Sequence, residues 1–351
     1  MISTNNELRN LIKYLLKEEF IAIDTEFIWR KTYFPKLCLI QIGTTHSTFL
    51  IDTLTDIDLT ILKPVLESKS IIKIFHAASH DIKILAHECK AYTAPIADTQ
   101  LAAEFLGIIH QGSLQFILHH YQIASINKEE KLSDWSQRPL SSSQKNYAKN
   151  DVLHLIPCYK KMFTELEQSH RLEWFHEECQ SFMDIKSYQY NTPSIAYKKV
   201  KNYKKLKPIE QYRLRELAHW RELISIQKNK IPRRLLSDES LIYLSTKKSL
   251  SSIDLKKIIK PSLITQDLHV LVKKITNNTV IKPKNKKVRI DKEQLNIFHN
   301  NLQKKAKELL IIPQLIASKK DIKQYLRQEP IISDKFNNGW RRNIISLIIN
   351  S

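Results

Sequence analysis

The chain has 351 residues, of which 42% are hydrophobic and 26% are charged, a balance that is ordinary for a soluble globular protein. This length predicts two or three domains, each large enough to bury a core. No apolar run reaches the length that spans a bilayer, and the N-terminus has the pattern of an amphipathic helix rather than of a signal peptide. The four cysteines are scattered, which argues against a zinc site and is typical of reduced thiols. We therefore expect a cytoplasmic protein that does not bind a membrane.

The first half of the chain predicts strands that alternate with helices. In chain order we expect an N-terminal helix, strands over 20–27, 37–43 and 47–52 that form a meander, a helix over 57–67, a strand over 71–75 and a helix from about Ser79. A strand over 96–98, helices over 99–105 and 114–121, a polar stretch over 127–136 and one long helix from about Ser142 through Phe163 follow. This alternation predicts an α/β domain over residues 1–190.

The second half of the chain predicts helices alone. Residues 191–207 have the composition of a basic linker, with six lysines between Lys198 and Lys207. Helical periodicity then covers 209–227, 238–245, 251–259 and 266–275, and a second basic linker over 281–289 precedes three more helices. We therefore predict two all-α domains, over 208–286 and 287–351.

Charge is distributed unevenly between these halves. Residues 1–190 contain 20 Lys and Arg against 23 Asp and Glu, whereas residues 191–351 contain 36 against 13. A basic half joined to a nearly neutral half indicates a polyanionic partner, most simply nucleic acid. Cationic surfaces also serve solubility, so the charge by itself leaves that alternative open.

The strand FIAIDTEF, residues 20–27, carries two carboxylates. Alternate side chains of a strand point to the same face, so Asp24 and Glu26 project side by side. A fold tolerates such like charges mainly when a cation lies between them. An Asp-x-Glu pattern at a strand end is by itself a weak signal, and the hypothesis depends on further ligands elsewhere in the chain.

Three more residues are candidate partners for this pair. Asp81 follows the strand over 71–75 at the start of a helix, where its simplest role is to cap that helix. Tyr147 and Asp151 lie four residues apart on one helix face, where they would ordinarily form a structural pair. If the four carboxylates converge, they offer the hard oxygen ligands that Mg²⁺ or Mn²⁺ prefers, and they suit two cations that act on a phosphodiester.

Four motifs together resemble the ribonuclease D family of the DEDD exonuclease superfamily, in the branch with a tyrosine in its third motif. They are DTEF (Asp24–Phe27), HAASHDIKIL (His76–Leu85), DTQLAAEFLG (Asp98–Gly107) and SDWSQRPLSSSQKNYAKNDVLHL (Ser133–Leu155). Residues 206–245 are similar to the HRDC helical domain, an accessory nucleic-acid-binding module. The last segment, with GWRR at Gly339–Arg342, is similar to a second, more divergent domain of this type. One departure is that many superfamily members carry an asparagine five residues before the aspartate of the second motif, where this chain has His76.

The resemblance implies a fold and an activity. The fold is a ribonuclease H-like 3′-5′ exonuclease domain, a mixed sheet flanked by helices, followed by two all-α HRDC-type domains. The activity is that of a 3′→5′ exoribonuclease that uses two divalent cations per active site, Mg²⁺ or Mn²⁺, and releases nucleoside 5′-monophosphates. The implied partners are tRNA precursors with 3′ extensions, and the implied state is a monomer.

The resemblance also implies roles for the five candidate residues. Asp24 would bridge the two metals, and Asp81 would hold the second of them. Glu26 and Asp151 would complete the site that holds the nucleophilic water, and Tyr147 would hydrogen-bond to that water.

Weaker predictions concern residues around these motifs. Phe27, Thr25 and His76 are candidate substrate-binding residues, although Phe27 is equally well explained as a core aromatic. We expect His80 to be solvent-exposed. Trp135, Arg138 and Pro139 are expected to position the loop that precedes the helix of Asp151.

Two other functions remain open at this point. One is a 3′→5′ DNA exonuclease, since the same site chemistry acts on DNA. The other is a nucleic-acid-binding protein whose nuclease domain is inactive, against which the complete set of carboxylates argues. The absence of a glycine-rich phosphate loop argues against nucleoside-triphosphate hydrolysis.

Overall fold

The computed structural model describes residues 1–125, 129–188, 190, 192–247, 249, 251–277, 290–327 and 335–349. The chain forms two compact units. The sheet unit comprises Met1–Ile28, Leu37–Tyr188 and Lys287–Ser351, and the helical unit comprises Trp29–Lys36 and Gln189–Lys286. The second basic linker, residues 281–289, lies outside the described residues. The domain boundaries drawn from the sequence stay a prediction.

The sheet unit contains a mixed five-stranded sheet with strand order β3-β2-β1-β4-β5. The strands are β1 (Phe20–Ile28), β2 (Lys36–Gly43), β3 (Thr48–Asp52), β4 (Ile72–Phe75) and β5 (Ile96–Asp98). β2 and β3 pair antiparallel, whereas β4 pairs parallel with both β1 and β5. Because parallel strands end at the same sheet edge, the ends of β1, β4 and β5 gather the side chains that follow them. The predicted mixed sheet is confirmed.

Helices of the first 188 residues flank this sheet. They are α1 (Asn5–Leu15), α2 (Lys63–Leu66), α3 (Asp81–Cys89), α4 (Thr99–Phe105), α5 (Leu114–His120), α6 (Ser142–Leu153), α7 (Leu155–Gln168) and α8 (Leu172–Gln180). α1 begins with the capping box of Thr4 and Glu7 that its sequence predicts. Short 3₁₀ helices cover Leu59–Leu62, Glu129–Leu132, Ser181–Met183 and Ile185–Tyr188.

The single long helix predicted from Ser142 through Phe163 is wrong. The structure has two helices, α6 and α7, which are separated at His154. Pro157 lies in the first turn of α7, where it has no N–H to donate, and its ring would clash with the carbonyl of Leu153 in a continuous helix. The predicted helix over 57–67 is likewise a 3₁₀ turn followed by one turn of α-helix, which contains Pro64.

The last segment of the chain packs into the core of the sheet unit. Its described helices are α14 (Lys292–Glu308), α15 (Pro313–Ile316), α16 (Lys319–Leu326) and α17 (Arg341–Ile349). Phe298 of α14 and Ile345 of α17 belong to the same buried cluster as Ala22 of β1 and Ile74 of β4. Polar contacts reinforce this packing, since the Arg171 guanidinium donates to the carbonyl oxygen of Leu309 at 2.6 Å.

The GWRR motif has a defined place in this packing. The Trp340 ring stacks on Trp174 with centroids 5.4 Å apart, and the Arg341 guanidinium lies 2.5 Å from the Glu178 carboxylate. Gly339 has φ +62°, a left-handed conformation that favours glycine, and an added Cβ would overlap Glu177. The glycine therefore lets the chain turn closely against α8 before α17 begins.

The helical unit is organised around its longest helix. Its helices are α9 (Pro208–Lys228), α10 (Pro232–Leu235), α11 (Asp238–Thr246), α12 (Ser252–Ile258) and α13 (Gln266–Asn277). These bounds confirm the helices predicted over 209–275. The predicted basic linker forms 3₁₀ helices over Pro193–Lys199 and Tyr203–Lys205, and Ala196 and Val200 are buried in the same core as Leu214 of α9. Within the described ranges of both units, no helix is both long and apolar enough to cross a membrane.

Candidate active site

The end of β1 places two carboxylates beside a third from α6. Residues 21–23 of β1 are buried, and the exposed fraction rises at Asp24 and Glu26, which are half-buried. One carboxylate oxygen from each of Asp24, Glu26 and Asp151 lies within 4.8 Å of the other two. Three acidic groups from distant parts of the sequence thus meet within the span of a cation and its ligands.

Asp81 reaches this site from the start of α3. It is buried, and the Thr25 hydroxyl of β1 donates to its Oδ1 at 2.5 Å. Burial, followed by the charge of Asp24, raises the pKa of Asp81 well above its ordinary value of 3.8. Asp81 does not belong to the group formed by Asp24, Glu26 and Asp151. It interacts with that group through electrostatic repulsion between its carboxylate and that of Asp24.

The pKa of Asp24 is also shifted upward. Loss of hydration on burial raises the pKa of Asp24 to about 6, from an ordinary 3.8, although a hydrogen bond from the backbone of Thr25 opposes the change. A carboxylate with a raised pKa next to other carboxylates is in an environment that disfavours its negative charge. A bound cation would remove that penalty, so the donor set fits divalent metal ions.

Tyr147 lies one helical turn before Asp151 and hydrogen-bonds to it. Burial, with the neighbouring charges of Asp151, Glu26 and Asp24, raises the pKa of Tyr147 above its ordinary value of 10. The hydroxyl therefore keeps its proton at neutral pH and acts as a hydrogen-bond donor beside the carboxylates.

The loop before α6 is fixed by the DWSQRPL motif. The Arg138 guanidinium donates to both carboxylate oxygens of Asp52, at 2.6 and 2.7 Å, and to the carbonyl oxygen of Cys38 at 2.7 Å. The Trp135 side chain is buried, and its ring centroid lies 5.9 Å from that of Tyr147. These contacts agree with the predicted positioning role of Trp135 and Arg138.

A glycine allows α6 to lie close to the sheet. Gly43 is the last residue of β2, and a Cβ added there would lie 2.7 Å from the carbonyl oxygen of Val152. That distance is shorter than a real carbon–oxygen contact, so any side chain at position 43 would displace the backbone next to Asp151.

Asp98 is a residue of this site to which sequence reasoning gave no role. It is buried at the end of β5, and its two carboxylate oxygens accept hydrogen bonds from the backbone N–H groups of Ala77 at 3.0 Å and Ala78 at 2.8 Å. The same carboxylate caps α4 by accepting from the N–H of Gln100 at 2.8 Å. Asp98 thereby holds the turn between β4 and Asp81, in which Ala77 has φ +65°. The sequence shows Asp98 only as an aspartate between a predicted strand and a predicted helix, which is a typical N-cap position.

The weaker candidates are distributed around these carboxylates. The two ring nitrogens of His76 lie 2.9 Å from the Thr99 hydroxyl and 3.0 Å from the Gly112 carbonyl oxygen, which gives the ring a structural role. The half-buried Phe27 ring is 6.4 Å from that of His80, which is exposed as expected. Substrate binding by Thr25, Phe27 and His76 stays a prediction.

Comparison with known proteins gives this site a family. Residues 1–167 match the family described as 3′-5′ exonuclease. The chain is 31% identical to ribonuclease D of Zymomonas mobilis over 98% of this chain and 91% of that protein. It is 35% identical to ribonuclease D of Bartonella henselae over 74% of this chain, a match that spans 63% of that relative's own length.

A solved structure agrees with these sequence matches. The crystal structure of Escherichia coli RNase D, described as an exoribonuclease involved in structured RNA processing, superposes with a TM-score of 0.86 at 25% identity. The superposition covers 100% of this chain and 98% of the E. coli chain. The resemblance drawn from the four sequence motifs is confirmed, and the chain belongs to the ribonuclease D family of 3′→5′ exoribonucleases.

Proposed function

We propose that this protein trims the 3′ extensions of tRNA precursors one nucleotide at a time, with two divalent cations, Mg²⁺ or Mn²⁺, in its active site. The observation that carries this proposal is the convergence of Asp24, Glu26 and Asp151, whose carboxylate oxygens lie within 4.8 Å of one another. Family membership supports the 3′→5′ direction and the RNA substrate.

The carboxylates divide between the two cations. Asp24, Glu26 and Asp151 would hold the cation that activates the attacking water, and Asp81, with Asp24, would hold the other. When bound, the cations supply the positive charge that stabilises the attacking and leaving oxygens of the phosphodiester. Thr25 keeps Asp81 oriented toward the site through its hydroxyl.

Tyr147 positions the water that attacks the phosphorus. Its hydroxyl is protonated at neutral pH because its pKa is raised, and it lies beside Asp151. A donor held at this point by the packing of Trp135 can orient the water without itself exchanging a proton. The products are a nucleoside 5′-monophosphate and an RNA that is one nucleotide shorter.

The helical unit binds the RNA as an HRDC-type module in this proposal. The basic second half of the chain attracts the phosphate backbone, so binding should weaken as salt rises. All four cysteines are buried and none forms a disulfide, as in proteins of a reducing compartment, and this supports action in the cytoplasm. We propose that the protein acts there as a monomer.

A nuclease assay on 5′-labelled RNA with a 3′ extension tests this function. With Mg²⁺ or Mn²⁺ we expect a ladder of products that shorten from the 3′ end, and no cleavage in chelator. Internal cuts, or shortening from the 5′ end, would refute the proposal. Faster degradation of single-stranded DNA of the same sequence would favour the DNA exonuclease instead.

Substitution of a proposed ligand separates catalysis from binding. Asp151→Asn should abolish cleavage while RNA binding in chelator stays near that of the wild type. Asp56→Asn is the matched control, because Asp56 is exposed in the same unit and lies outside the carboxylate cluster. Wild-type activity in Asp151→Asn would remove Asp151 from the site.

A further inference from the structure

The helical unit contains a cavity of about 430 Å³ that is lined mainly by cationic side chains. The cationic residues are Lys31, Lys228, Lys230, Arg234 and Lys260, and Ser262 adds a hydroxyl. Among the described residues that line this basic pocket, none is acidic. A cavity of this size is within the range that holds small molecules or segments of a polymer.

Four separate segments build the basic pocket, and hydrogen bonds join two of them. Lys228 and Lys230 flank Asn229, which ends α9 in a left-handed conformation at φ 47°. The side-chain oxygen of Asn229 accepts hydrogen bonds from the backbone N–H groups of Tyr33 at 3.0 Å and Phe34 at 2.9 Å. This contact fixes the segment Trp29–Lys36, with Lys31, against the end of α9.

A second buried contact secures the same segment. The Tyr33 side chain is buried, and its hydroxyl donates to the Glu222 carboxylate of α9 at 2.8 Å. Arg234 comes from α10, and Lys260 and Ser262 come from the turn before α13. The pocket is thus a concavity formed by four segments, and its cationic side chains are exposed to solvent.

The charges that line the basic pocket are not neutralised within it. None of its five cationic groups forms an ion pair with a carboxylate in the described part of the chain, whereas Arg233, next to Arg234, pairs with Asp238 at 3.0 Å. Like charges that surround one cavity repel each other, and an anionic ligand relieves that repulsion. Lys228 and Lys230 lie at the C-terminal end of α9, where a cation complements the helix dipole. This explanation does not apply to the other three cationic residues of the pocket.

We propose that the basic pocket binds consecutive phosphates of a single-stranded RNA, on the 5′ side of the nucleotide being removed. Lys and Arg side chains with a serine hydroxyl are the groups that commonly contact phosphate oxygens of nucleic acids. The proposal rests on the proposed function, because an exonuclease that takes the 3′ end leaves only upstream phosphates for a second site.

Binding of the full-length protein to RNA in chelator tests the pocket without cleavage. The probe is a 5′-fluorescein 20-nucleotide RNA, and anisotropy gives Kd across 50–300 mM salt. The double variant Lys228→Gln with Lys230→Gln should raise Kd on the order of ten-fold at the lowest salt. It should also make the slope of the logarithm of the association constant against the logarithm of the salt concentration shallower by about 1.4, since each lost phosphate contact on a single strand contributes about 0.7.

A matched control distinguishes the pocket from net charge. Lys201→Gln with Lys205→Gln removes the same charge from exposed positions of the helical unit that do not line the cavity. If the two double variants have the same Kd and the same salt slope, the pocket is not an RNA site. If the pocket variant unfolds, Lys260→Gln is the second test, with an expected slope change of about 0.7 relative to Lys201→Gln alone.

Nuclease assays on the wild type and on the same pocket variant test this proposal separately from the proposed function. With Mn²⁺, the pocket variant should lower kcat/KM for the 20-nucleotide RNA several-fold more than for a dinucleotide without a 5′ phosphate, whose single phosphodiester is the one that is cut. An equal loss on both substrates would overturn the pocket as an upstream site. A wild-type protein that binds RNA through the pocket in chelator but never shortens it would overturn the proposed function and leave the pocket in place.

Discussion

Replacement of Asp24 with asparagine should stabilise the metal-free protein while it removes divalent-cation binding. Asp24 is half-buried beside Glu26 and Asp151, and burial raises its pKa to about 6. Asparagine has nearly the same shape and no charge, so it keeps the packing and removes the buried charge. The site is thus expected to cost stability when no metal is bound.

The magnitude follows from the pKa. A change from 3.8 to about 6 corresponds to about 3 kcal/mol, at about 1.4 kcal/mol per pKa unit. The raised pKa means that the folded state binds the proton more tightly than the unfolded chain. The stabilising contribution of the protonated group is therefore present below pH 3.8 and is lost as pH rises through about 6. At pH 7.5 Asp24 is ionised in the folded protein, so the full destabilisation of about 3 kcal/mol applies. Asp24→Asn should therefore raise the melting temperature on the order of 5 °C.

Thermal unfolding between pH 4 and pH 8, in chelator, measures this effect. Asp24→Asn should melt at the same temperature as the wild type near pH 4 and above it at pH 7.5, while the control Asp56→Asn should follow the wild type throughout. Added Mn²⁺ should raise the melting temperature of the wild type and leave that of Asp24→Asn unchanged. A variant that is less stable than the wild type at pH 7.5 in chelator would show that the Asp24 charge is already compensated in the metal-free protein.

Three further substitutions test the supports of the site. Gly43→Ala should push the backbone at Val152 and cost about 1–3 kcal/mol in urea unfolding, with reduced nuclease activity; an unchanged midpoint would contradict the close approach. Asp98→Ala leaves buried N–H groups without an acceptor and should cost about 1–3 kcal/mol and weaken Mn²⁺ binding in calorimetry, because the turn that carries Asp81 loses its anchor. Tyr147→Phe should lower kcat about 100-fold with little change in KM, and an altered KM alone would show that the hydroxyl binds substrate instead.

The sequence was sufficient wherever one element carries the information. Asp24 and Glu26 share a face because a strand alternates, and Tyr147 and Asp151 share a face because a helix repeats every 3.6 residues. Both relations are local, so they could be read before the fold was known. The helices over 208–277 follow from the same periodicity. The break at His154 was also readable, since Pro157 cannot lie in the interior of a continuous helix.

Only the tertiary structure could decide which distant segments meet. The anchoring of the turn at Ala77 by Asp98 depends on the parallel pairing of β4 with β5, and the approach of Asp151 to β1 depends on the absence of a side chain at Gly43. The burial of the last helices in the core of the sheet unit, and the four segments that form the basic pocket, depend on packing between residues far apart in the chain. Periodicity tells which face of an element is apolar, but many elements have such a face. The choice among partners is made by shape and by buried hydrogen bonds, which appear only when the whole chain is folded.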